Sequence, residues 1–116
     1  VTLNKEVEKE RIKSFKVFYP YYLSEHRNPI NRALHFVGSL IALIFIGVAI
    51  TEEGRSLFFL YAVLVGYAFA WVGHFFIEKN RPATFTYPFY SLMGDWRMFF
   101  ELLLRKRAFN EKTIKD

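Results

Sequence analysis

Residues 33–76 read ALHFVGSLIALIFIGVAI-TEEGR-SLFFLYAVLVGYAFAWVGHFF, and this stretch decides the fold. Its first part (33–50) and its last (56–76) contain no Asp, Glu, Lys or Arg. At 1.5 Å per helical residue they measure roughly 27 and 31 Å, close to the hydrocarbon thickness of a bilayer. The five residues between them, Thr51-Glu52-Glu53-Gly54-Arg55, are polar and contain a turn former. The reading is an antiparallel hairpin of two spanning helices. A soluble helical pair would need a partner, a second copy included, to cover both apolar surfaces.

Composition agrees. The chain has 116 residues, enough for one domain, and is 53% hydrophobic and 20% aromatic. With glycine included the apolar share is about 59%, against roughly 45–50% in soluble domains. There is no cysteine, which excludes a disulfide scaffold, a thiolate metal site and a thiol nucleophile. The net charge of +5 invites a nucleic-acid reading, but the positions of the cations argue otherwise. Of sixteen Lys and Arg, seven lie in residues 1–32, eight in 77–116, and only Arg55 lies between. Cations flanking apolar spans belong to the cytoplasmic side and to anionic headgroups. Both termini are therefore expected in the cytoplasm and Glu52 and Glu53 across the membrane. No nucleic-acid motif is present, and the first thirteen residues lack the apolar core of a cleavable signal peptide.

Outside the hairpin (residues 29–80), two segments look interfacial. Residues 4–19 place Val7, Ile12, Phe15 and Phe18 or Tyr19 near one face, with Pro20 as terminator. Residues 95–107 open on Asp95 as N-cap and close on three cations, suiting the helix dipole. The expected fold is all-α: a single membrane domain over 1–116, with an interfacial segment (1–28), the hairpin, and an interfacial loop and helix (81–116) around Pro82 and Pro88. Tyr19, Tyr21 and Tyr22 are assigned to an interfacial aromatic belt.

The chemistry resides in three histidines. Asn28-Pro29 is a strong helix start, which puts His35 in the second helical turn and His26 just outside. His35 lies eighteen residues before Glu53 and His74 twenty after Gly54, so the two differ in height by only about 3 Å. Each continues a stripe of small residues: His35, Gly38 or Ser39, Ala42 and Ile46 on one helix, and Gly66, Ala70, Gly73 and His74 on the other. These stripes are expected to be the helix–helix contact. Ionisable residues at membrane depth are costly and mark functional sites. Glu78 follows His74 at i+4, on the same face of a regular helix, and is a candidate fourth metal ligand. Histidine with carboxylate suits Fe(II), Mn(II) or Zn(II). Asn31, Arg27, Arg32, Lys79 and Arg81 lie at the same end and are candidates for binding an acidic substrate. No serine has a His–Asp context for nucleophilic catalysis, and no phosphate loop is present. Two other readings remain: a haem held by His35 and His74, or histidines that only bond across helices.

The run from Tyr22 to Gly38 gives HxxxxNxxxHxxG on His26, Asn31, His35 and Gly38, and the run from Gly73 to Ala83 gives GHxxxEKxxPA. Together they resemble the small membrane-protein family, long catalogued as a domain of unknown function, that includes the yeast endoplasmic-reticulum dioxygenase of 2-hydroxy fatty acids. The resemblance covers most of residues 15–107. It implies Fe(II) as cofactor, with His26, His35 and His74 as iron-binding and catalytic residues. It also implies O2 and a long-chain 2-hydroxy fatty acid as substrates, shortened by one carbon. The compact chain is similar to bacterial members, which implies the inner membrane.

Overall fold

The computed structural model describes residues 11–114. They form four α-helices and no strand: α1 (Phe15–Ser24), α2 (Pro29–Thr51), α3 (Phe58–Val72) and α4 (Pro88–Leu103). A π-helical segment, Gly73–Glu78, prolongs α3, and a 3-10 turn, Ala83–Phe85, leads into α4. Of the expected N-terminal interfacial segment, residues 4–10, including Val7, lie outside the described residues.

The hairpin forms as its sequence dictates. Asn28 caps α2, its side chain accepting from the Ile30 N–H at 2.8 Å, and Pro29 occupies the first turn, where its missing N–H costs nothing. The 23 residues of α2 and the 21 of Phe58–Glu78 are long and apolar enough to cross a membrane. Their large apolar side chains point outward: Ile44, Ile50, Leu60, Leu64 and Phe76 are each more than half exposed. Apolar surface of this extent requires a bilayer or a partner to cover it.

The flanking helices depart from expectation in two places. Pro20 lies inside α1 and does not end it. It is exposed, and the interruption removes one bond from a ten-residue helix anchored by the Ser14 cap and by burial of Phe18, Tyr19, Tyr22 and Leu23. Asp95 is not an N-cap, because Pro88 already occupies the first turn of α4 and places Asp95 in its interior. Gly94 is there for close approach: a Cβ would come within 2.9 Å of the Tyr22 ring.

Besides flanking the hairpin, α1 and α4 pack on each other and on the 3-10 turn around Phe18, Tyr22, Leu23, Ala83, Met98 and Leu102. Tyr19 and Tyr22 belong to this core and not to an interfacial belt; their hydroxyls donate to Glu101 and Asp95 respectively. The helical cap so formed sits at the end of the hairpin that carries the histidines.

Candidate metal centre

Three segments deliver one histidine each. His26 follows α1, tied back by its N–H to the Leu23 carbonyl at 3.1 Å. His35 lies in the second turn of α2, and His74 is the second residue of the π-helical segment. All three are at least 95% buried. Their ring centroids lie 4.4 to 4.9 Å apart, and the rings stand nearly perpendicular to one another.

Hydrogen bonding at each Nδ1 fixes where the other ring nitrogen points. His26 Nδ1 is 2.6 Å from the Tyr22 carbonyl, and His35 Nδ1 is 3.0 Å from the Asn31 carbonyl. A carbonyl only accepts, so both nitrogens carry the proton and donate. His74 Nδ1 is 2.7 Å from Asn80 Oδ1. The amide orientation of Asn80 follows from its Nδ2, which donates to the Glu25 carbonyl and to Glu25 Oε2, at 3.0 and 2.9 Å. Its Oδ1 therefore accepts from His74. With Nδ1 engaged in each ring, Nε2 is the nitrogen left to bind a ligand, and those of His26 and His35 face each other.

The ring of His26 is held neutral. Burial lowers its pKa well below the ordinary value, and His35 and His74 add to the effect. The Nε2 atoms of His26 and His35 are 3.2 Å apart, and one ligand atom from each of the three histidines falls within 4.8 Å of the others. Two imidazoles on one ion, each about 2.1 Å from it and at right angles, would put their nitrogens about 3.0 Å apart. The spacing fits a shared metal ion. Three inward lone pairs also lack a proton to share among themselves, which a cation supplies electrostatically. A haem between His35 and His74 does not fit. Their centroids are 4.9 Å apart with His26 filling the third side, and the adjoining space is only about 20 Å³.

A family model described as 2-hydroxy-palmitic acid dioxygenase Mpo1-like matches residues 12–107. The chain belongs to the Mpo1-like family. No curated protein and no solved structure matches it.

In this Mpo1-like chain the carboxylate of Glu78 lies away from the three histidines. Oε1 accepts from the Asn28 backbone N–H at 2.6 Å and from Asn31 Nδ2 at 3.3 Å, so it secures the start of α2. Glu78 is the last residue of the π-helical segment, and its carboxylate turns to the start of α2. Arg32 is wholly buried and engaged: Nε donates to the His26 carbonyl at 2.5 Å, and Nη1 to the Ala108 carbonyl and to Glu111 at 2.8 and 3.1 Å. It positions the His26 backbone. Asn31 is buried against Gly73, where a Cβ would lie 1.8 Å from its Oδ1. Arg27, Lys79 and Arg81 are exposed, the last with its guanidinium over the Phe85 ring. None of the five lines the small space beside the histidines.

Four polar residues around this Mpo1-like site were not singled out from sequence: Asn80, Tyr22, Asp95 and Ser91. The last three line the small space with the histidines. Asn80 stands within the GHxxxEKxxPA run, and Tyr22 precedes His26 by one helical turn, so both carried a local signal. Asp95 and Ser91 reach the site only through the packing of α4.

Proposed function

We propose that this chain is a membrane-embedded, iron-dependent dioxygenase that shortens a long-chain 2-hydroxy fatty acid by one carbon. The convergence of three buried histidines, each oriented by a donating Nδ1, carries this reading. The family description supplies the substrate class. Fe(II) held by His26, His35 and His74 would supply the oxygen chemistry, for which imidazole ligation with positions left open is suited. The protein's part is to keep the imidazoles neutral, aim them, and exclude water. Two helices long and apolar enough to cross a membrane support a site at the lipid boundary, with the alkyl chain in lipid and the acid head at polar residues.

Reconstituted, iron-loaded protein should convert 2-hydroxy-palmitic acid to a product one carbon shorter, with O2 and iron both required. Palmitic acid and short hydroxy acids should turn over poorly. A panel of long-chain 2-hydroxy acids left unchanged under oxygen would refute the reaction. Orientation is tested separately: single cysteines at Glu53 and Lys112 should label from opposite faces with an impermeant reagent, and same-side labelling would refute the hairpin topology.

A further inference from the structure

An apolar groove of about 400 Å³ runs from His35 down the hairpin, between α2 and α3. Ala42 and Ile46 form its α2 wall, Ala62 and Gly66 its α3 wall, and Leu92 and Trp96 of α4 cover it. The small residues expected to close the helix–helix contact therefore do so only in part. Gly38 does pack on α3, where a Cβ would come within 2.7 Å of Phe69. A Cβ on Gly66 would meet nothing within 4 Å. The helices are in close contact at Gly38, and open space adjoins Gly66.

The groove is continuous with the metal centre, since His35, Tyr67, Ala70 and Asp95 line both it and the small space at the histidines. On α4, Ser91 and Asp95 are one turn apart and line that space; Leu92 and Trp96, each one residue later, cover the groove. Ser91 is 4% exposed and its Oγ has no hydrogen-bond partner within the protein. Buried hydroxyls are nearly always partnered, so this one points to a ligand atom or a bound water.

We infer that α4 is a substrate-recognition helix: Ser91 and Asp95 hold the polar head of a single-chain 2-hydroxy acid beside the histidines, and the groove takes its alkyl tail. The inference rests on the catalytic reading of the histidines for the substrate's chemistry. Ser91 Oγ–H donates to a water, for which the small space of about 20 Å³ has room, and the water donates to the acid's carboxylate. Asp95, whose Oδ1 already accepts from Tyr22, offers its other oxygen to the 2-hydroxyl. From His35 to Ile46 the groove extends about 16 Å along α2, enough for an extended tail of roughly a dozen methylenes. A volume of about 400 Å³ over this length suits one alkyl chain and not two, which favours a free acid over a two-chain phospholipid.

The test uses a 2-hydroxy long-chain acid bearing a diazirine at the end of its tail, photolysed with the protein in phospholipid vesicles. Labelling should fall on Ile46, Ala62 and their neighbours, and unmodified 2-hydroxy-palmitic acid should displace it. Undisplaced labelling spread over the outward residues Leu40, Leu60 and Leu64 would overturn the groove in favour of general bilayer contact. Gly66→Leu should block the groove about 12 Å below His74. The preference for long over short 2-hydroxy acids should then fall tenfold or more, with iron content unchanged. An unchanged preference would also overturn the proposal. Displaceable labelling in a protein that turns over no acid would support the groove and refute the reaction, so the two failures are distinguishable.

Discussion

Asn80 holds His74 by its ring: Oδ1 of the amide accepts from Nδ1 of the histidine at 2.7 Å, across the π-helical end of α3. The amide is itself anchored on Glu25, next to His26, so one side chain ties two histidine-bearing segments together. Asn80→Ala should lower iron affinity by about 10- to 100-fold, the usual effect of removing a partner that orients a ligating histidine. Asn80→Asp keeps the acceptor for His74 but sets a carboxylate oxygen against Glu25 where a donor stood, and should recover only part of the loss. Iron titration of the purified variants reads both, and equal affinity in Asn80→Ala and the parent would contradict the orienting role.

The placement of Glu78 separates two kinds of variant. His26→Ala, His35→Ala and His74→Ala should each reduce iron content to near background while helix content by circular dichroism stays close to the parent. Glu78→Gln keeps an oxygen that can accept both bonds and should leave iron content largely intact, while Glu78→Ala should lower stability by roughly 1 kcal/mol, the scale of a lost helix-terminus contact. Iron loss in Glu78→Gln equal to that of the histidine variants would return Glu78 to the ligand set.

Arg32 couples the C-terminal segment to the site. Its guanidinium joins the His26 carbonyl to Ala108 and Glu111, and Glu111 also accepts from Arg107 at 2.8 Å. Removing one partner of a buried pair costs about 3–5 kcal/mol. Arg32→Met should therefore lower the thermal midpoint sharply. Arg32→Lys should rescue little, because a single ammonium cannot span three acceptors in the fork geometry of arginine. The midpoint in detergent measures this; a midpoint within a degree of the parent would rule it out.

Burial raises the Asp95 carboxyl from 3.8 to about 7, against a lowering effect of the Tyr22 hydroxyl. A carboxyl that binds its proton more tightly when folded gives stability that is fully present below about pH 4 and lost as the pH rises through 7. His26, held neutral by burial, acts in the opposite direction as pH falls below its ordinary range. The informative quantity is therefore the difference between parent and Asp95→Asn. The variant should gain relative stability as the pH rises from 5 to 8, by a few kcal/mol at most. Parallel melting profiles would show that Asp95 does not titrate in this window.

The hairpin was legible because its determinants are local: unbroken apolar runs, an Asn-Pro start and a polar turn. Counts of eighteen and twenty residues from the turn gave the near-matched depth of His35 and His74 for the same reason. The start of α4 was missed because Gly94-Asp95 resembles a helix boundary when read locally, whereas Gly94 serves the Tyr22 ring seventy-two residues earlier in the chain. The hydroxyl–carboxylate pairs of Tyr22 with Asp95 and Tyr19 with Glu101 are equally remote, and no periodicity encodes them. The bonds of Glu78 to the Asn28 N–H and the Asn31 amide, 50 and 47 residues earlier in the chain, were illegible for the same reason.

That irregular end has a consequence for how the chain can vary. A π-helical turn accommodates one residue more than the α-helical turn it replaces, and Gly73–Glu78 lies between the segment that fixes the height of His74 and the Asn80 that steers it. Substitutions along the outward side, at Phe75 or Phe76, change only what faces out, for both are exposed. Deleting either would remove the residue that the wide turn accommodates and return the backbone to an ordinary α-helical turn. This stretch should therefore accept many outward side chains, and the loss of one residue is the change of length it can best absorb.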